Sequence, residues 1–179
     1  MKKELYDNQV KKTLKYFKKA KIQLSNDEKQ RIEIADFGLN DLQNVGLQLL
    51  TYINTDRVCA KEMVLLPYQT CPEHWHIPTN GQDGKEETFR CRFGKVYLYV
   101  DGEGKKEDIK AKIPNTEVSV FHEIVLNEGE QYTLYPNTKH WFQAGDKGAI
   151  ISEFSTHSTD ETDVFTDKAI IRTPCIEDK

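Results

Sequence analysis

The sequence predicts a mostly β chain: a barrel-like single domain of short strands, preceded by helices. Three observations predict it. From about residue 46 the chain breaks into short runs rich in β-branched and aromatic residues. Gly, Pro, Asn or Asp marks the ends of those runs. The first twenty residues instead carry a helical period.

The runs are LQLLTYIN, AKEMVLLPY, EETFRCRFG, KVYLYVDG, EIVLNEG, QYTLYPN, HWFQAGDK and AIISEFST. Roughly eight strands of this kind, evenly spaced, suit a sandwich or barrel. In the first stretch, roughly Lys3 to Lys21, Tyr6, Val10, Leu14 and Phe17 recur at spacings of four, four and three, which puts them on one helical face. Ser25 followed by Glu28 fits a capping box for a second, short helix. The expected organisation is one domain: a helical segment over 1–45, a barrel over about 46–158, and a capping strand or tail over 159–179.

Composition excludes several classes. Apolar residues at 37% against 30% charged describe a wet-surfaced globular chain rather than a disordered one. The net charge of −4 argues against nucleic acid. Lys11, Lys12, Lys15, Lys18 and Lys19 then read as a solvated helix face. No run reaches the length of a membrane span, and MKKELYDNQVKK has no apolar stretch behind its lysines to act as a secretory signal. Cys59, Cys71, Cys91 and Cys175 have irregular spacing without a CxxC, so reduced thiols and a cytoplasmic location are expected. Cys71 and Cys91 are expected near the site described next, as small side chains rather than ligands.

His74-Trp75-His76 sets two imidazoles two residues apart. On a strand, positions i and i+2 face the same side, so both rings can point into a barrel and share an ion. Glu87 follows a turn-rich loop carrying Pro78, Asn80, Gly81 and Gly84, and His140 follows Pro136-Asn137-Thr138. Three neutral imidazoles and a carboxylate make a mixed N/O site for Mn, Fe, Co, Ni or Zn, with positions left open for water or substrate. His122 and His157 fit no ligand position and read as polar residues at strand ends. Glu73, Trp75 and Trp141 have outward parity and read as structural, packing or interface residues.

HWH, ten residues, Glu, six residues, Gly resembles the first cupin motif, and EQYTLYPNTKH resembles the second. The second departs from the usual form: Thr138 stands where glycine is common, and one residue is missing between it and His140. PEHWH, GKEETFRCRFG, YPNTKHWFQAG and SEFST…DETDVFTD together resemble the D-lyxose isomerase family of cupin sugar isomerases, over roughly Val58 to Asp167. The resemblance implies a double-stranded β-helix barrel, a divalent metal (Mn²⁺ first), a small sugar as substrate, and a homodimer. It implies interconversion of D-lyxose with D-xylulose, and of D-mannose with D-fructose.

Such a reaction moves a proton between C1 and C2 of an open-chain sugar. A divalent ion is expected to chelate O1 and O2 and hold a cis-enediol intermediate, while a base carries the proton. Glu153 in IISEFST is the first choice for the base. A carboxylate on that apolar strand is expected to face the interior, where losing hydration makes it a stronger base. Lys61 interrupts an apolar strand, and Lys85 shares the parity of Glu87. Either suits an acid or an enediolate stabiliser, and the resemblance favours Lys61 as the catalytic one. Lys85, Asp163 and Phe165 are expected against the sugar. Competing readings are an Fe(II) dioxygenase, a sugar-binding cupin without chemistry, and a phosphosugar isomerase using Ser155, Thr156 and Ser158.

Overall fold

The structure, a computed structural model, describes residues 1–79, 81, 83–173 and 176. Asn80 and Cys175, noted in the sequence, lie outside the described residues. Helix α1 spans Lys3–Lys19 and α2 spans Asn26–Gln30. Among the described residues nine strands follow: β1 (Glu33–Ala35), β2 (Leu47–Asn54), β3 (Cys59–Leu65), β4 (Thr70–Trp75), β5 (Glu87–Val100), β6 (His122–Asn127), β7 (Gln131–Leu134), β8 (His140–Ser155) and β9 (Val164–Phe165).

The mostly β expectation holds, but the eight runs regroup. EETFRCRFG and KVYLYVDG are one strand, β5, and HWFQAGDK and AIISEFST are one strand, β8. Strands β1 and β9 are too short for a period-2 pattern to register. Helix occupies only part of 1–45, because β1 already pairs antiparallel with β2 there. The Ser25–Glu28 capping box is present, each side chain accepting from the other residue's backbone N–H.

The two long strands organise the sheet. The second half of β8 pairs with β3 and with residues 87–94 of β5. Its first half pairs with β4 and with residues 96–100 of β5. One layer is therefore β1-β2-β3-β8-β5-β7, and the other is β9-β4-β8-β5-β6, with β5 and β8 crossing from one to the other. The crossing coincides with register shifts at Cys91/Phe93 and Gly94/Val96. Gly94 has φ +75° and lies so close to Gly148, itself at φ +78°, that a Cβ on Gly94 would sit 2.0 Å from the Gly148 carbonyl oxygen.

Alternation along the strands sorts side chains. Leu49, Met63, Leu65, Phe89, Cys91, Leu98, Phe142 and Ile151 pack between the layers. Leu50, Val64 and Ile150 face outward under α1, with Tyr16 and Phe17. The face that α1 buries includes Gln9 and Thr13 as well as Tyr16 and Phe17. It is thus rotated from the Tyr6-Val10-Leu14-Phe17 stripe, whose first three members are only partly buried. Residues 103–121 cover the other outer face, where Trp141 stacks on Tyr99 at 4.1 Å and donates from Nε1 to the Val120 carbonyl at 2.8 Å. Trp141 is outward by parity, as expected, yet fully buried.

Gly94→Ala should force apart the β5–β8 crossing. The expected cost is at least about 1–3 kcal/mol from backbone strain alone, read as a lowered urea midpoint. An unchanged midpoint would show that the crossing accommodates a side chain.

Candidate active site

Three imidazoles converge inside the barrel. His74 lies on β4, His76 one residue past its end, and His140 opens β8. His74 and His140 are paired across the β4–β8 ladder. A register shift between Cys71 and His74, with Pro72 inside it, turns both of those side chains inward and sends Glu73 outward. Glu73 there accepts from the N–H groups of Ser119 and Val120 and from the Ser119 and Thr166 hydroxyls.

Each ring offers one nitrogen, and these lie within 4.8 Å of one another. The other ring nitrogens are committed. His74 Nδ1 donates to the Pro72 carbonyl at 2.8 Å and His140 Nδ1 to the Thr138 carbonyl at 2.9 Å. His76 Nδ1 donates to Asp163 Oδ1 at 2.6 Å. All three acceptors are oxygens that cannot donate, so each neutral ring carries its proton on Nδ1 and turns the Nε2 lone pair to the centre. Glu87 Oε1 lies 3.0 Å from His76 Nε2 and 3.1 Å from His140 Nε2. The His140 Nε2 contact misses hydrogen-bond geometry, leaving a buried nitrogen without a partner. Converging lone pairs, one orphaned buried nitrogen and a carboxylate fit a divalent metal.

A buried ion lattice adjoins this centre. Lys85 Nζ lies 2.8 Å from Glu87 Oε2 and 3.1 Å from Glu153 Oε1. Lys61 Nζ reaches both oxygens of Asp160, at 2.8 and 2.6 Å, and lies 4.0 Å from Glu153. Arg172 joins Asp160 at 2.9 Å to Glu33 at 2.6 Å. Lys85, rather than Lys61, links Glu153 to the histidine cluster. Asp160 and Arg172 were not singled out in the sequence. Asp160 opens the quoted DETDVFTD string, and Arg172 is one of three scattered cations in the tail, with Lys168 and Lys179, so neither carried a spacing signal.

The electrostatics follow from these contacts. Burial opposes the charge on Lys85, yet Glu153 and Glu87 hold its pKa well above the ordinary lysine value. Lys61 is likewise raised against its burial by Glu153 and Asp160. Burial would raise Glu87 and Asp160, but neighbouring Lys85 holds both well below the usual carboxylate range. His74 is held well below 6.5 by burial and by the neighbouring rings. Burial and Lys85 also push His76 down, but Glu87 and Asp163 outweigh them and raise it to about 9.

The space among these groups is small, about 30 Å³, with Leu49, Met63, Phe89 and Phe142 on its apolar side and Phe165 beside His74 at a ring distance of 5.5 Å. Lys61, Asp160 and Arg172 wall it from an outer pocket of about 210 Å³. Cys71 lines the inner space, whereas Cys91 packs within the apolar core and its thiol faces the carbonyls of Phe93 and Gly94. The candidate phosphate hydroxyls are engaged: Ser155 donates to Glu153, Ser158 to Asp160, and Thr156 accepts from the Glu86 N–H. His122 Nδ1 and His157 Nδ1 donate to the backbone carbonyls of Glu103 and Thr55, away from the site.

Residues 10–179 match the D-lyxose isomerase family. The chain belongs to that family. It is 62% identical over 170 residues to a D-lyxose/D-mannose isomerase of Thermosediminibacter oceani, covering 93% of each chain. It is 59% identical over 163 residues to a D-lyxose ketol-isomerase of Cohnella laeviribosi, covering 90% of each. Among solved structures it resembles an L-ribose isomerase of Acinetobacter sp. DL28, with a TM-score of 0.73 at 13% identity over 95% of this chain and 94% of that one. That likeness supports the cupin fold expected from the motifs.

The two perturbed histidines predict how the metal-free protein responds to pH. The raised pKa of His76 gives a contribution that is full below pH 6.5 and lost as pH climbs to about 9. The depressed pKa of His74 gives one that is present above 6.5 and lost as pH falls. Urea midpoints measured in chelator should peak near pH 6.5, with each histidine contributing at most about 1.4 kcal/mol per pH unit. A midpoint still rising at pH 8.5 would contradict this balance.

Proposed function

We propose that the protein is a metal-dependent aldose–ketose isomerase that interconverts D-lyxose with D-xylulose and D-mannose with D-fructose. The observation that carries the reading is Glu153, buried and paired with Lys85, beside a three-histidine centre. The names of the curated relatives support the choice of sugars. His74, His76, Glu87 and His140 would hold the ion, with Mn²⁺ first for this N/O donor set and Co²⁺, Ni²⁺, Zn²⁺ or Fe²⁺ as alternatives. When bound, a divalent ion supplies the Lewis acidity that polarises the sugar carbonyl.

The chain's own residues carry the protons. Glu153 takes the proton from C2 and returns it to C1. Lys85 and Lys61, kept protonated by their carboxylate neighbours, stabilise the negative oxygen of the enediol-type intermediate and feed a proton between O1 and O2. The contacts favour Lys85 for the group nearest the chemistry and Lys61 for the next. Phe165 and Asp163 line the space beside the sugar and help exclude water.

The alternatives fare less well on the same contacts. A phosphosugar would bring its charge against Glu153 and Asp160, and the three candidate hydroxyls already have partners. A dioxygenase or a simple sugar binder has no use for a buried lysine–glutamate pair at the metal. A homodimer belongs to the same reading: Ile53 and Phe154, in register on either side of Ala60, are exposed on the outer sheet face. So does a cytoplasmic location. Among the described residues no helix is long and apolar enough to cross a membrane.

Metal-loaded protein incubated with D-lyxose or D-mannose should yield ketose, and chelation should abolish it reversibly. No ketose with any of Mn²⁺, Co²⁺, Ni²⁺ or Zn²⁺ would end the isomerase reading. Glu153→Gln should lower kcat by about 10²–10⁴-fold while sugar binding persists. Turnover retained in that variant would remove Glu153 as the base.

A further inference from the structure

The three histidines differ in what orients them. His74 and His140 each donate Nδ1 to the carbonyl two residues earlier in their own strand region, Pro72 and Thr138. Those contacts form whenever the local backbone forms. His76 has no such local acceptor in its hydrogen bonds. Its Nδ1 donates to Asp163, 87 residues away, at 2.6 Å. Both side chains are 7% exposed, so water does not readily replace either partner.

Asp163 sits on a strap that runs along the ligand-bearing strand. Val164 and Phe165 pair with Trp75 and His74 as β9, and Thr166 bonds Glu73 from both its N–H and its hydroxyl. Farther along, Arg172 ties the strap to Asp160 and Glu33. We infer that Asp163 is a positioning residue for the metal centre, aiming His76 Nε2 inward, and that metal binding tightens the strap carrying it. A carboxylate behind a metal-ligating imidazole fixes its tautomer and ring angle and raises its donor strength. Thermodynamic linkage makes the effect reciprocal: a strap that tightens the metal is itself tightened by the metal. The sugar reading assigned Asp163 to the substrate, and its hydrogen bond to His76 gives it this second task. The inference rests on the three-histidine centre taking a divalent ion.

The test measures Mn²⁺ affinity by titrating the electron paramagnetic resonance signal of free Mn²⁺, without substrate. Asp163→Ala should bind Mn²⁺ about 10–100-fold more weakly than the parent protein. Asp163→Asn should fall between, because an amide oxygen still accepts from Nδ1. Arg172→Met, which loosens the strap but leaves Asp163 its partner, should lose less than Asp163→Ala. Hydrogen exchange at residues 164–166 should slow on adding Mn²⁺ to the parent protein and respond less in Asp163→Ala. Unchanged affinity in Asp163→Ala overturns the inference while leaving the metal centre standing. Equal losses in Asp163→Ala and Arg172→Met reduce Asp163 to a strap anchor and overturn its positioning role. A parent protein that binds no Mn²⁺, Co²⁺ or Zn²⁺ takes down the metal centre and this inference together.

Discussion

The bend in β5 and β8 is the constraint on which the site depends. His140 and Glu153 lie on one strand, and a straight strand would set them about 43 Å apart at roughly 3.3 Å per residue. Yet His140 is 3.1 Å from Glu87, and Lys85 joins Glu87 to Glu153 through contacts of 2.8 and 3.1 Å. Both ends of β8 therefore reach one point. They do so because β8 and β5 pass between layers where Gly94 meets Gly148 without a side chain between them. The glycine that closes the first metal motif thus acts through backbone proximity rather than through any contact with an ion.

Bringing those ends together concentrates charge where water is scarce. Burying an ion costs several kcal/mol after relaxation, and removing one member of a buried pair strands the other. The site meets this cost by pairing. Each cation touches at least one carboxylate, and Asp160 touches both Lys61 and Arg172 while lying 3.8 Å from Lys85. The surrounding apolar layer supplies the compensation, at about 1.5–3 kcal/mol for each fully buried Leu, Ile or Phe. A lattice of this kind also fixes side-chain positions, since any displacement leaves a charge unpaired. That rigidity holds the Glu153 carboxylate in a fixed place beside Lys85.

Much of the site was legible because strand parity and motif spacing act locally. The i, i+2 relation of His74 and His76, the shared parity of Lys85 and Glu87, and the inward aim of Glu153 all follow from a two-residue period. The strand inventory was less so. A glycine inside β5 or β8 reads as an end in sequence, although here it marks a bend in a continuing strand. The buried face of α1 departs from its apolar stripe for another reason: Gln9 and Thr13 are buried by tertiary packing that polarity alone argues against. Asp160 and Arg172 were invisible for a different reason. Their partners lie 99 and 139 residues away, and only the folded strap brings them together.

The formal charges point to what the centre accepts. Apart from the half-exposed Glu33, which shares Arg172, the centre sets Glu87, Glu153, Asp160 and Asp163 against Lys61, Lys85 and Arg172, one positive charge short. In the metal-free protein a proton on His76 makes up the difference, which is why its pKa rises to about 9 despite burial. A divalent cation at the histidine nitrogens competes with that proton, so the interior is arranged to exchange one positive species for another. The hydroxyls of a polyol can pair with both the carboxylates and the ammonium groups. The electrostatics of the metal-free centre therefore favour a cation at the histidine nitrogens.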